Sequence, residues 1–270
     1  MNFKTGVTIF SLSFKEALAY RAGMMFSIIT FPISMLVAFF IWTSIFEATG
    51  STIIGGFTLD EMIGYYIISL LVIALIWNPI MDDLHKGVRR GDFIKFITKP
   101  LSYPFYALFH ALGGRSLAFL IEFVPIVVIM SLLLDVSYLT TANFGLFMFS
   151  LSIAFVIYYL ISLLMGSLIF WLTNPTGIAW LYRLFRYVLA GGLIPLTFFP
   201  ETFQRILLFT PFPHTTYIPA AIFVGNTSFA GIELSYSTLL LYSVGQLIFM
   251  ILLVYFVWKK AVTKFQGVGA

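Results

Sequence analysis

Glu122 stands alone as a charge within Ser116–Leu134, 19 otherwise uncharged and largely apolar residues. A carboxylate in such surroundings is costly unless it faces a polar pathway or hydrogen-bonds to another helix, and both roles stay open for it. Arg115 lies seven residues earlier, about 10 Å away along a helix. Arg183 and Arg186 are three residues apart and share a helix face, where they either reach up to a headgroup layer or contact a substrate. His85, His110 and His214 are scattered, without the spacing of metal ligands. No Ser-His-Asp order or paired carboxylates suggest catalysis, and the acids Asp82, Asp83 and Asp92 balance nearby lysines and arginines. The pattern G-x-x-x-x-G-K-[ST] is absent, which excludes nucleotide binding through a phosphate loop. With no cysteine there are no disulfides or thiolate metal sites. The expectation is a chain with no catalytic, cofactor-binding or metal-binding residues of its own.

The elements that must position these few charges are set by composition. The chain has 270 residues, 60% hydrophobic, 19% aromatic and only 10% charged, against roughly 25% charged in soluble domains. That predicts an all-α integral membrane protein. A bilayer core about 30 Å thick needs about 20 apolar residues per helix. The gaps between charges, together with the turn signal Thr173-Asn174-Pro175-Thr176-Gly177, place six spans near 23–46, 62–81, 112–134, 144–172, 178–199 and 236–258. The first long apolar run begins at Ala22, too far in and too long for a cleavable signal. The two halves show no internal repeat, and no soluble domain is evident.

Basic residues orient this arrangement. Lys4, Lys15 and Arg21 precede the first span; Lys86, Arg89, Arg90, Lys95, Lys99 and Arg115 lie between the second and third; Arg183 and Arg186 open the fifth; Lys259, Lys260 and Lys264 follow the sixth. Of the 15 Lys and Arg only Arg205 falls on the other side, with Glu47, Asp60, Glu61, Asp135, Glu201 and Glu233. The positive-inside rule makes the basic side cytoplasmic, with both termini there. Trp77, Trp171, Trp180 and Trp258 mark inner ends of spans and Trp42 an outer end. The net charge of +4 is therefore an orientation signal, and nucleic acid is not an expected partner.

Two cytoplasmic segments carry further pattern. In residues 1–22, Phe3, Val7, Phe10, Phe14, Ala17 and Leu18 share one helical stripe beside a polar arc of Lys4, Thr8, Ser11 and Lys15, the pattern of an amphipathic helix lying in the inner headgroup layer as a surface anchor or a tilting elbow. The loop "DDLHKGVRRGDFIKFITKPLSYPFY", Asp82 to Tyr106, holds a short helix near 92–99. Asp92 is its expected N-cap and Pro100 its stop. Phe93, Ile94, Phe96 and Ile97 are its apolar residues, among Lys95 and Lys99. They either dip into the lipid interface or dock into a soluble partner.

The stretch "GGLIPLTFFPETFQRILLFTPFPHTTYIPA", Gly191 to Ala220, is strongly apolar yet contains Pro195, Pro200, Pro211, Pro213 and Pro219. Taken with the six-span order, the basic entry helix and the loop "RRGDFIKFITKPLSYPFY", it makes the chain resemble a permease subunit of an ABC transporter of the type-2 exporter class. The resemblance covers nearly the whole chain and lies in the order of the elements rather than in one motif. It implies that residues 92–99 form a coupling helix gripped by a cytosolic ABC ATPase dimer, with ATP and Mg bound on that partner. It also implies a second permease chain, identical or sister, location in the plasma (inner) membrane, and a pathway walled by spans one, two and five.

Arg186 to Glu201 leaves too few uncharged residues to cross alone, so the fifth span must begin near Thr176. "ETFQRILLF" and "TTYIPAAIFV" are then short re-entrant helices near 195–225, since broken backbone at membrane depth is tolerated where protein buries it or it lines a cavity. The alternative is an ordinary outer loop. Candidate pathway or gate residues are Glu122, Arg183, Arg186, Pro195, Phe198, Phe199 and Phe203. The cargo of such a gate is expected to be hydrophobic or amphipathic: a drug, peptide or lipid. Rival readings are an ATP-independent secondary transporter or channel, and a membrane-embedded enzyme acting on lipid.

Overall fold

The computed structural model describes residues 3–20, 23, 26–126, 128, 143–172 and 174–265. Arg21, Ala22, Thr173, the outer part of the expected third span with Asp135, and residues 266–270 lie outside the described residues. Helices dominate: α1 (Phe3–Ala19), α2 (Ser27–Thr49), α3 (Leu59–Ile76), α4 (Ile80–Arg89), α5 (Ile94–Thr98), α6 (Tyr103–Ala118, running on through a π-helical turn at Phe119–Phe123), α7 (Phe144–Ser167), α8 (Thr176–Leu189), α9 (Glu201–Leu208), α10 (Tyr217–Val224) and α11 (Tyr236–Thr263). A small antiparallel hairpin, β1 (Ser228–Phe229) and β2 (Ile232–Glu233), joins α10 to α11.

Local chemistry explains the main boundaries. α3 opens on a capping box, in which the Glu61 carboxylate accepts from the Thr58 N–H at 2.9 Å and Thr58 Oγ1 accepts from the Glu61 N–H. It ends at Trp77-Asn78-Pro79, where Asn78 bonds the backbone on both sides of the break. α2 ends at Gly50, and α8 ends just before Gly191. Gly191 sits at φ +79°, and its N–H and that of Gly192 turn back onto Val188 and Tyr187; a side chain at this left-handed position would be strained.

Among the described residues five helical stretches are long and apolar enough to cross a membrane: Ile29–Thr49, Leu59–Arg89, Tyr103–Ile126, Phe144–Phe170 and Tyr236–Thr263. The expected fifth span, 178–199, is different. Its helix, α8, has 14 residues, about 21 Å by helical rise, because the Gly191-Gly192 turn and Pro195 stop it early.

α7 is the central post. It packs on α3, α4, α10 and α11, and most of its length is buried. Between helices in lipid the hydrophobic effect gives little, so close approach through small residues matters. Ser150, Ser162, Gly166 and Ser167 are buried along α7. A Cβ at Gly166 would lie 3.2 Å from Leu84 and Met81 of α4. α2, by contrast, packs mainly along α3 and leaves Ile33, Val37, Phe40 and Ile41 exposed.

α1 turns a narrow face of Gly6, Ile9 and Ser13 inward. It packs along α6, where Ser13 Oγ donates to the His110 carbonyl at 2.7 Å and Glu16 faces His110 Nε2 at 3.2 Å. Phe3, Val7, Leu12 and Leu18 stay exposed. The entry helix is thus fastened to α6 rather than to α2, which follows it in sequence.

Candidate functional site

The charged and aromatic residues gather in three places. The first is the short helix α5 and its backing. Phe93 is only 2% exposed. It sits inside an aromatic cluster, with ring centroids 5.2–6.2 Å from Phe96, Tyr103, Phe170, Trp258 and Phe265. Phe96 adds edge contacts to Tyr103 at 4.9 Å and Tyr106 at 5.2 Å. These rings come from α5, α6, the end of α7 and the end of α11, so α5 is braced on three helices at once. Ile94 and Ile97 point the other way, 54% and 48% exposed. Lys95 lies over the Phe96 ring at 5.3 Å, and Lys99 is exposed.

Two expectations for this segment need correction. Phe93 is turned to the chain's own interior, because the rings behind it offer a better burial site than any exposed position. Asp92 is exposed and makes no cap: the helix begins at Ile94 after Phe93, whose N–H bonds the Gly87 carbonyl instead. A cleft of about 300 Å³ flanks α5, lined among others by Asp83, Lys86, Arg90, Asp92, Lys95 and His110.

The second place lies among α3, α4, α6, α7 and α8. Arg183 and Arg186 do not share a face. Arg183 is exposed and pairs with Asp82 at 2.5 Å, while Arg186 is 8% exposed with its guanidinium 4.8 Å above the Tyr158 ring. Three residues turn a helix by about 300°, which suffices at the edge of α8 to send one arginine to the acid on α4 and the other to the aromatic on α7. Arg115 donates to the Ala74 carbonyl at 3.1 Å and stacks over Trp77 at 4.9 Å. Glu122, also 8% exposed, sits in the π-helical turn within electrostatic reach of Arg115. Such turns recur at functional sites because they redirect one side chain.

The third place is the cap built by residues 191–235. Phe198 packs on Trp42 of α2 at 5.8 Å, Phe199 lies tilted against Phe203 at 5.4 Å, and Pro195 is buried at the start of a 3₁₀ turn. Sequence reasoning missed what ties this cap down. Tyr65 and Tyr66 of α3 donate to the carbonyls of Gly191 and Leu193, the first at 2.7 Å. Gln204 is buried; its Nε2 donates to the Phe199 carbonyl at 2.7 Å, and its Oε1 accepts from the Ala230 N–H at 2.7 Å. Asn226 donates to the Gly56 carbonyl at 2.7 Å. His214 lies between α9 and α11, Nε2 at 3.0 Å from the Leu208 carbonyl and Nδ1 at 2.9 Å from Ser243 Oγ. Burial pulls its pKa down to about 4. The available signal was the presence of Gln, Asn and His inside an apolar stretch, where an unsatisfied polar group is expensive. The structure keeps the three places apart: Glu122 and Arg186 are not brought to the Phe198–Phe203 cap.

Among the described residues no cluster of His, Asp or Glu has metal-ligand geometry. Searches of curated proteins and of solved structures found no match. A family model described as "ABC-2 family transporter protein" matches residues 32–269, which take in most of α2 and every element from α3 to α11. By this match the chain belongs to the ABC-2 transporter family, as a membrane-embedded transport component.

Proposed function

We propose that this chain is the transmembrane permease subunit of an ATP-driven exporter, moving a hydrophobic or amphipathic cargo along a path formed with a second permease chain. ATP and Mg sit on separate cytosolic subunits, since no phosphate-loop pattern occurs in this chain. The observation that carries the reading is α5. A five-residue helix on the basic side of the molecule presents Ile94 and Ile97 outward, while Phe93 and Phe96 anchor it to α6, α7 and α11. Exposed aliphatic side chains on a rigidly backed helix suit a push from outside: force on α5 passes to three bundle helices without being absorbed locally.

Six crossings fit the charge pattern. α8 with the Gly191–Pro195 turn carries the chain to the outer side, and the buried helix α10 returns part way before the hairpin leads into α11. Five crossings would place Lys259, Lys260 and Lys264 opposite the other basic residues, against the positive-inside rule. The α9–α10 cap then closes the outer end of the path, with both termini in the cytoplasm of a cell bounded by this plasma membrane.

The test is co-purification. The permease, expressed with its cognate ATPase, is expected to retain the ATPase in mild detergent and to alter its hydrolysis rate. Replacing Ile94 and Ile97 by Ser should lower retention by about tenfold, in line with loss of interface anchors, while membrane insertion is unchanged. Transport by the chain with no ATPase present would sink the reading.

A further inference from the structure

Apart from Thr176 and Arg183, the exposed face of α8 is apolar. Trp180, Leu181, Leu184 and Phe185 are exposed, whereas Ala179, Tyr182 and Arg186 follow each other along the opposite stripe. α8 meets α4 through Arg183 and Asp82 and α7 through Arg186 and Tyr158. Arg186 is more than nine-tenths buried, yet Nε and Nη1 of its guanidinium reach no acceptor among the described residues, and neither does the Tyr182 hydroxyl. The Tyr158 ring beneath Arg186 offers its π-face and no hydrogen-bond acceptor in the plane of the fork. Asp82, the acid on this side of α8, is already taken by Arg183. A cleft of about 210 Å³ opens between α4 and α8, lined by Lys86, Arg89, Ala179 and Arg183 among others, and Ala179 begins the stripe that leads to Tyr182 and Arg186.

A buried guanidinium without acceptors is an incomplete site, because burial of a charge is tolerated when it is paired and hydrogen-bonded. Its planar fork matches an oxyanion bidentately, and a tyrosine hydroxyl donates to the same group. The surrounding α8 and α7 surfaces are apolar and suit a hydrocarbon tail. Resting on the transport reading above, we propose that Arg186 and Tyr182 bind the oxyanion of an amphipathic cargo, a carboxylate, phosphate or sulfate carried on an apolar chain, which enters by the cleft between α4 and α8.

Binding can be read without the ATPase, on the full chain in phosphatidylcholine nanodiscs. The probes are tetradecyl phosphate, tetradecyltrimethylammonium and inorganic phosphate, with tryptophan fluorescence as the signal, since Trp180 lies on the same helix. The expected result is that tetradecyl phosphate binds at least about tenfold more tightly than either other probe. Arg186→Gln should remove that preference, Tyr182→Phe should weaken it by a few-fold, and Arg186→Lys should keep a part of it as a point charge. Lys4→Gln, on the distant entry helix, should leave it unchanged. Size-exclusion and thermal melting establish that each variant is folded, and the Lys and Phe variants keep the test open if the Gln variant is not.

Equal affinity for the cationic amphiphile, unchanged binding by Arg186→Gln, or inorganic phosphate binding as tightly as the tailed compound would overturn the proposal. So would loss of chain–chain association in Arg186→Gln with amphiphile binding intact, which assigns the missing acceptor to a second copy. Failure here leaves retention of the ATPase untouched, and loss of that retention leaves amphiphile binding standing.

Discussion

His214 holds the 191–235 cap to α11 as a neutral ring. In the tautomer that fits its surroundings, Nε2–H donates to the Leu208 carbonyl and Nδ1 accepts from the Ser243 hydroxyl. Burial lowers its pKa to about 4, from 6.5 in an exposed ring. Below pH 6.5 the folded chain therefore binds fewer protons here than the unfolded chain does. Stability falls as pH drops from about 6.5 toward 4 and is intact above that window. At pH 5 the loss amounts to about 2 kcal/mol. The expected outcome is a melting temperature in detergent that declines between pH 7 and pH 5, and a His214→Gln variant in which most of that decline is gone. An equal decline in the variant would show that other groups set it. Phe93 teaches the same lesson at residue scale: an aromatic on a basic loop looked like an anchor for a partner, and its neighbours from three helices claimed it.

At the scale of elements, the coupling of α1 to α6 is the most consequential packing. A Cβ at Gly113 would fall 2.4 Å from the Phe10 carbonyl oxygen and 2.9 Å from the Ser13 Cβ. The first of these is backbone, so it cannot swing aside. Gly113→Ala is expected to push the helices apart and cost about 1–3 kcal/mol, the range for overpacking a tight contact. The readouts are a lower melting temperature and faster proteolysis at Lys15. A variant as stable and as resistant as the parent would show that α1 is a separate surface helix. Since α6 follows α5 after a short linker, the proposed push on α5 would reach α1 through α6, to which α1 is fastened.

At the scale of the whole molecule, the question is whether α8 crosses. The chain has no cysteine, so single cysteines report sidedness without background. Thr176→Cys, before α8, is expected to resist a membrane-impermeant thiol reagent added to intact cells, and Thr202→Cys, in α9, to react. Ser51→Cys, after α2, should react and Ser102→Cys, before α6, should not. Labelling of positions 176 and 202 from one side would mean that α8 turns back inside the membrane, and the six-crossing arrangement would fall. All four positions are exposed in the fold, so reactivity reports sidedness rather than burial.

Membrane residence and five of the six expected spans, near 23–46, 62–81, 112–134, 144–172 and 236–258, are legible in the sequence alone; the sixth, 178–199, and the side the basic residues face rest on charge placement. Each rests on a one-dimensional quantity, the length of uncharged runs and the placement of Lys and Arg, which a bilayer reads directly. The order of segments likewise sufficed for the family. What the linear pattern did not contain was the choice between neighbours. Two arginines one turn apart on α8 met different partners, Asp82 and Tyr158, only because α4 and α7 pass on either side. Asp92 is a plausible cap by type and position, but the backbone route set by Gly87 and Gly91 started the helix two residues later. Gln204 and His214 acquired their partners from segments far along the chain. Pairings of this kind depend on which helices lie side by side, and tertiary packing alone decides that.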